Sequence, residues 1–88
     1  MEQQNEMSYF LYILKCKDNS YYTGITWNIE KRLKEHNSRI NTCLQKSKVP
    51  AELAYWKEFD NIKEAAKKEK EVKGWRREKK EELIKSLH

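Results

Sequence analysis

Glycine occurs only twice and proline only once in this 88-residue chain. That composition excludes a collagen-like repeat and a flexible linker. No apolar run approaches the ~18 residues a membrane span needs. Cysteine is scarce too: Cys16 and Cys43 stand alone, without a CxxC or a Cys/His pair at zinc-ligand spacing. A structural metal site and a disulfide framework are therefore not expected. The start, MEQQNEMSYF, has neither the basic nor the apolar region of a secretory signal. The expected setting is a reducing cytoplasm, with both thiols free and Cys16 acting as a small buried hydrophobe. Mean hydropathy is low, at −1.11, and 38% of residues are charged, but three Trp, five Tyr and two Phe argue against disorder. A chain of this size forms one domain with a thin core, burying about 60% of the surface it exposes unfolded.

What is plentiful is charge, and it is uneven. Lys and Arg number 19 against 14 Asp and Glu, and residues 63–88 alone hold ten Lys/Arg against six Glu. Two readings fit that segment: a partner with phosphates, whose counterions the cations displace, or a solvated helix laced with Glu–Lys pairs at i,i+4.

The pattern of apolar residues predicts a small mixed α/β domain over 9–88, behind a flexible start at 1–8. YFLYILKC (9–16) is nearly all apolar and suits a strand covered on both faces. Lys17 to Ser20 is turn material, and Tyr21 to Ile25 returns as the second arm of a hairpin. Gly24 inside that strand marks a close backbone approach or a bulge. Asn28 caps a helix from Ile29 to about Ser38. A polar loop follows from Asn37 to Val49, then a third strand from Glu52 to Phe59. Asp60 or Asn61 caps a helix to about Lys73, Gly74 interrupts it, and 77–87 is helical with Leu83, Ile84 and Leu87 as its apolar stripe. The expected architecture is a three-stranded antiparallel sheet flanked by helices.

Some polar residues sit where apolar ones are expected. Arg32 and His36 lie one turn apart on the first helix, with His36 beside the apolar stripe of Ile29 and Leu33. Ile62, Ala65, Ala66 and Val72 follow the spacing of a buried face, and Glu69 falls on the same face. An inward carboxylate needs a partner. A salt bridge to a cation at the core edge would satisfy it, and so would a hard divalent ion, since Mg²⁺ is commonly held by one or two carboxylates plus phosphate oxygens and water. Tyr12 is central in the first strand and Tyr22 precedes Gly24 by two, positions that packing alone would explain. The three tryptophans read as packing residues, although Trp75, next to Arg76 and Arg77, is placed to stack on a base.

Taken in order, Tyr12, then Tyr22-Thr23-Gly24, then Arg32 and His36, then Glu69, resemble the GIY-YIG nuclease domain. YTGIT, EKRLKEHN and EAAKKEKEVKGW are similar to the small stand-alone bacterial members of that superfamily, over roughly residues 9–85. The first motif keeps only its tyrosine, as Phe10-Leu11-Tyr12, and the second keeps Tyr22 and Gly24. The segment NTCLQKSKV lacks the usual aromatic-and-basic run of the loop that would border the substrate.

The resemblance implies metal-dependent hydrolysis of phosphodiester bonds in nucleic acid, DNA more than RNA, with low sequence specificity. It assigns Tyr12 as general base, Tyr22 and His36 as its hydrogen-bonding helpers, Arg32 as a phosphate clamp and Glu69 as the ligand of one Mg²⁺ or Mn²⁺. Lys73, Arg76, Arg77 and Lys80 would track the nucleic-acid backbone, positioning it without reading sequence. One such site cuts one strand, so a double-strand break would need a homodimer. A non-catalytic nucleic-acid-binding module and a protein-interaction adaptor using the C-terminal helices are the competing classes.

Overall fold

Strand β1 (Tyr9–Lys15) is the centre of the molecule, and its alternating side chains build two different cores. The computed structural model describes residues 8–40, 42 and 44–86. The expected flexible start, apart from Ser8, and Cys43 and Leu87 lie outside those residues. β1 pairs antiparallel with β2 (Tyr21–Thr26) on one side and with β3 (Glu52–Phe59) on the other, giving the order β2-β1-β3. The hairpin turn is held by Asp18, whose carboxylate accepts from the Ser20 amide and hydroxyl and pairs with Lys48 at 2.8 Å. Between Ile13 and Leu14 the register with β3 shifts at a bulge.

Helix α1 (Ile29–Ser38) begins where expected, with the Asn28 side chain accepting from the Lys31 amide at 3.0 Å. It covers one face of the sheet, where Tyr12, Leu14 and Cys16 pack with Leu44 and Ala51 and with the half-buried Tyr22, Ile29, Leu33 and Val49. Leu44 comes from the segment expected to be a polar loop. That loop contains a short 3-10 turn (Lys46–Lys48) and closes the core with one leucine.

Helices α2 (Ile62–Lys73) and α3 (Arg77–Ser86) cover the other face, where Leu11 and Ile13 meet Tyr55 and Val72, with Tyr21, Ile25, Phe59, Trp75, Leu83 and Ile84 around them. Asn61, not Asp60, caps α2, accepting from the Glu64 amide. The spacing placed Ile62 and Ala66 on the buried face, and the structure leaves both exposed. The contact stripe is narrower than the pattern suggested: Ala65 and Val72 lie about 20° apart around the helix, whereas Ile62 and Ala66 sit about 60° and 100° to one side of Ala65. Cys16 is a free, buried thiol.

Candidate active site

Tyr12 and His36 meet inside the α1 face, and their contact organises the rest. Tyr12 points from β1 toward α1, and its phenol oxygen lies 3.0 Å from His36 Nε2. His36 is fully buried on the inner side of α1. Tyr22, two residues along β2 from Gly24, stands edge-on to the imidazole, with ring centroids 4.9 Å apart, and its ring lies 6.3 Å from that of Tyr12.

Gly24 explains how a phenol fits there. It pairs with Tyr12 across the two strands. A Cβ at this position would sit 2.6 Å from the Tyr12 hydroxyl and 2.8 Å from the ring carbon bearing it. The phenol lies across bare backbone, so the glycine serves the close approach that its place in a strand suggested.

Arg32 is one turn before His36, and its guanidinium donates to Glu35 at 2.8 Å. Its pKa is raised by that bond first, against a loss from burial, and is raised further by a hydrogen bond with Tyr12. Arg32 therefore stands at the edge of the phenol–imidazole pair as a fixed cation. His36 is pushed below the ordinary imidazole value, chiefly by burial and then by the Arg32 charge, with Glu35 opposing. It is neutral at pH 7, able to accept at one nitrogen while donating at the other.

The second nitrogen has a partner that the sequence did not reveal. His36 Nδ1 hydrogen-bonds the Thr42 hydroxyl, which also accepts from the Leu44 amide at 3.1 Å. Arg39 makes this return possible. It closes α1 in a left-handed conformation (φ 60°), with its amide reaching back to Glu35 and His36, so the chain turns toward the imidazole. A non-glycine residue takes that conformation at a cost of about 1–2 kcal/mol. Asn37 secures the same region, pairing its side-chain amide with both backbone groups of Ala51 at 3.0 and 2.7 Å. No periodicity could identify Thr42, because it lies beyond the helix on an irregular return.

Four of the five residues assigned to catalysis thus come together: Tyr12, Tyr22, Arg32 and His36. Glu69 stands on α2, which packs on the sheet's other face. Its carboxylate is 21% exposed and pairs with Lys73 at 3.1 Å. The flank of α2 bearing Glu64, Lys68 and Glu71 borders a hollow with Phe59 of β3. At 100° per residue Glu69 lies about 40° from Ala65, on the other side of the buried Ala65–Val72 line. Among the described residues no three His, Cys, Asp or Glu side chains group closely enough to cage a metal ion. A single carboxylate suits Mg²⁺, which keeps most of its waters and shares substrate oxygens. Of the residues assigned to the site, Glu69 is the one carboxylate that could serve such an ion, with water and substrate oxygens as the remaining ligands, once released from Lys73.

The four basic residues assigned to the nucleic-acid backbone differ in their commitments. Lys73 pairs with Glu69, and Arg77 pairs with Glu81 at 3.0 Å, caps the Asn19 carbonyl and lies over the Tyr21 ring. Arg76 is exposed in the turn before α3, and Lys80 is half-buried on α3. Trp75 packs on the α2–α3 core with Lys68 and Lys79 over its ring, at 5.2 and 4.4 Å. No helix among the described residues is long and apolar enough to cross a membrane.

Residues 8–82 match the GIY-YIG catalytic domain. A UPF0213 protein of Staphylococcus saprophyticus is 43% identical over 76 residues, spanning 86% of this chain and 93% of that protein. One from Clostridium perfringens is 43% identical over 77 residues, spanning 88% and 83%. The solution NMR structure of a UPF0213 protein of Bacillus halodurans superposes with a TM-score of 0.59 at 38% identity, over 90% of this chain and 84% of that one. That of a protein from E. faecalis gives 0.64 at 33% identity, over 98% and 92%. The fold is shared with both.

Proposed function

This chain belongs to the GIY-YIG family, and on that premise we propose that it is a divalent-metal-dependent endonuclease that nicks nucleic acid, DNA in preference to RNA, with little regard to sequence. The observation that carries the reading is the hydrogen-bonded Tyr12–His36 pair beside the Arg32 guanidinium, built over a glycine that leaves it room. Those are the parts that water attack on a phosphodiester requires: a proton acceptor and a cation at the non-bridging oxygen.

Tyr12 takes the proton of the attacking water. A phenol titrates near 10 in isolation, so it needs help. Neutral His36 accepts the phenol's own proton at Nε2 as the water's proton arrives at the oxygen, and no net charge builds on the tyrosine. Tyr22 walls the imidazole and fixes its plane. Arg32 holds a non-bridging phosphate oxygen with its guanidinium fork. Glu69 would hold the divalent cation, and that ion would supply charge stabilisation at the leaving oxygen. Lys73, Arg76, Arg77 and Lys80 contact flanking phosphates. Cys16 is a free thiol, in keeping with work in the cytoplasm, and a double-strand break takes two copies.

The place of Glu69 on α2, already paired with Lys73, favours one alternative: a module that binds nucleic acid without cutting it. A nicking assay on supercoiled plasmid with Mg²⁺ or Mn²⁺ separates the two. The wild type converts the plasmid to the open circle, and Arg32→Ala and Glu69→Gln each abolish this with the melting temperature little changed. Equal nicking before and after either substitution overturns the assignment. Cation-independent binding with no turnover establishes the binding module.

A further inference from the structure

The molecule treats its three tryptophans differently. Trp75 is packed on the α2–α3 core with a lysine on its ring, and Trp56 is held edge-on by Phe10 at 6.0 Å. Trp27 is 62% exposed, in the turn between β2 and α1, so it contributes little to the core. Its backbone is nonetheless fixed on both sides. Thr26 ends β2 and its hydroxyl accepts from the Asn28 amide at 3.1 Å, while Asn28 caps α1. An indole on so rigid a turn is presented to solvent at little entropic cost.

The indole is also next to the candidate site. Trp27, Thr26, Asn28, Lys31, Arg32 and Glu35 line one hollow of about 210 Å³. Lys31 reaches over the indole, 5.8 Å from the ring centre. The charges facing the hollow are two cations and one carboxylate, and that carboxylate is engaged by Arg32. A second hollow, of about 330 Å³, shares Asn28, Lys31 and Glu35 with the first and runs along α1 past Lys34 to the exposed Ile40. The surface adjoining Arg32 is therefore a short track with an aromatic wall, the cations Lys31, Arg32 and Lys34, and the carboxylates Glu30 and Glu35.

We infer that Trp27 and this hollow form a stacking subsite for an unpaired nucleobase, adjoining the phosphate that Arg32 holds. The inference rests on the nuclease reading and deepens it by naming the substrate class. A nucleotide joins a flat apolar base to an anion, and the hollow offers an indole face next to Lys31 and Arg32. A base inside a duplex has both faces covered by its neighbours, so it reaches an indole only when the strand is single or the base is extruded. The preferred substrate is a strand with an unpaired nucleotide beside the scissile phosphate, and it runs along α1.

The test is binding in EDTA, so that no cleavage intervenes, to a single-stranded oligonucleotide carrying 2-aminopurine and to the same sequence as a duplex. Trp27→Ala is expected to weaken single-strand binding roughly 5- to 150-fold, the range for loss of one base–aromatic stack. Trp27→Phe retains most of the affinity. Duplex binding changes little in either variant. Because the indole carries no charge, the salt dependence of binding keeps its slope in Trp27→Ala. The 2-aminopurine emission is quenched by the wild type and recovers with Trp27→Ala. Circular dichroism establishes that both variants are folded. Equal single-strand affinity in wild type and Trp27→Ala, or the same loss on duplex, overturns the subsite and leaves the nuclease reading standing. A wild type that binds neither oligonucleotide overturns the subsite, and the plasmid-nicking assay decides the nuclease reading separately.

Discussion

The two faces of β1 are built on different terms, though one seven-residue strand supplies both. On the α2–α3 side Leu11 and Ile13 bury against Tyr55 and Val72, and apolar contact is the main bond. On the α1 side Tyr12 carries a hydroxyl into the interior to meet a fully buried histidine, with a cation at the edge and a glycine opposite. Burying polar groups is tolerable only when each finds a partner, and the pairs here add little net stability over an apolar core of the same shape. Both faces bury apolar side chains, but only the α1 face also holds a phenol and an imidazole in a fixed relation inside its core.

That contrast can be broken most directly by trading one neighbour for the other. Tyr12→Phe is expected to cut nicking by about 10²-fold or more, the typical worth of positioned proton transfer, and to cost about 1–3 kcal/mol because the buried His36 Nε2 loses its phenol partner. Ile13→Ala, its neighbour on the other face, should lose about 2–5 kcal/mol of stability in a denaturant titration, with the nicking rate per folded molecule retained. A Tyr12→Phe variant that nicks at the wild-type rate would merge the two faces into one structural core.

Gly24→Ala sharpens the comparison at the next level. The added methyl must displace the phenol, which is held by His36, so overpacking should cost about 1–3 kcal/mol. The phenol–imidazole hydrogen bond should break as well, visible as a shifted His36 ring resonance in NMR. A variant with both stability and resonance unchanged would show that the close approach is not required.

The smallest effect is in pH. His36 has a folded pKa below its unfolded value of 6.5. The unfolded chain therefore takes up a proton first as pH falls, and stability present above about 6.5 is lost on the acid side, down to the folded pKa. His36→Asn should flatten that part of the stability–pH curve. An unchanged curve would mean that the imidazole is not held neutral by burial.

Much of this was legible before any coordinates. The bounds of α1 followed from Asn28 and the apolar stripe, and those of β3 from Pro50 and the run to Phe59, because caps, breakers and alternation are local. Gly24 announced a close approach, although not what approached it. The identity of the cluster came from the order of Tyr12, Tyr22, Arg32 and His36, not from any one of them. Where reading failed, the cause lay outside local pattern. Ile62 and Ala66 have helical spacing but fall outside a narrow contact stripe, and Trp27, read with the other tryptophans as a packing residue, stands 62% exposed, whereas Trp75 packs as expected. The one local signal at Trp27 was its place between a strand end and an N-cap, where a turn lies at the edge of the core.

The sequence by itself determined the order of strands and helices, a first strand apolar enough to be covered on both faces and the residue types available for chemistry, since these depend on period, propensity and composition. Only the tertiary structure decided that Thr42 turns back onto His36, that Trp27 alone of the three indoles stands beside the Arg32 edge, and that Glu69 is carried by the helix on the opposite face. Such pairings join residues far apart in the chain or across irregular turns. Their distances are set by how the helices dock on the sheet, which no local pattern encodes.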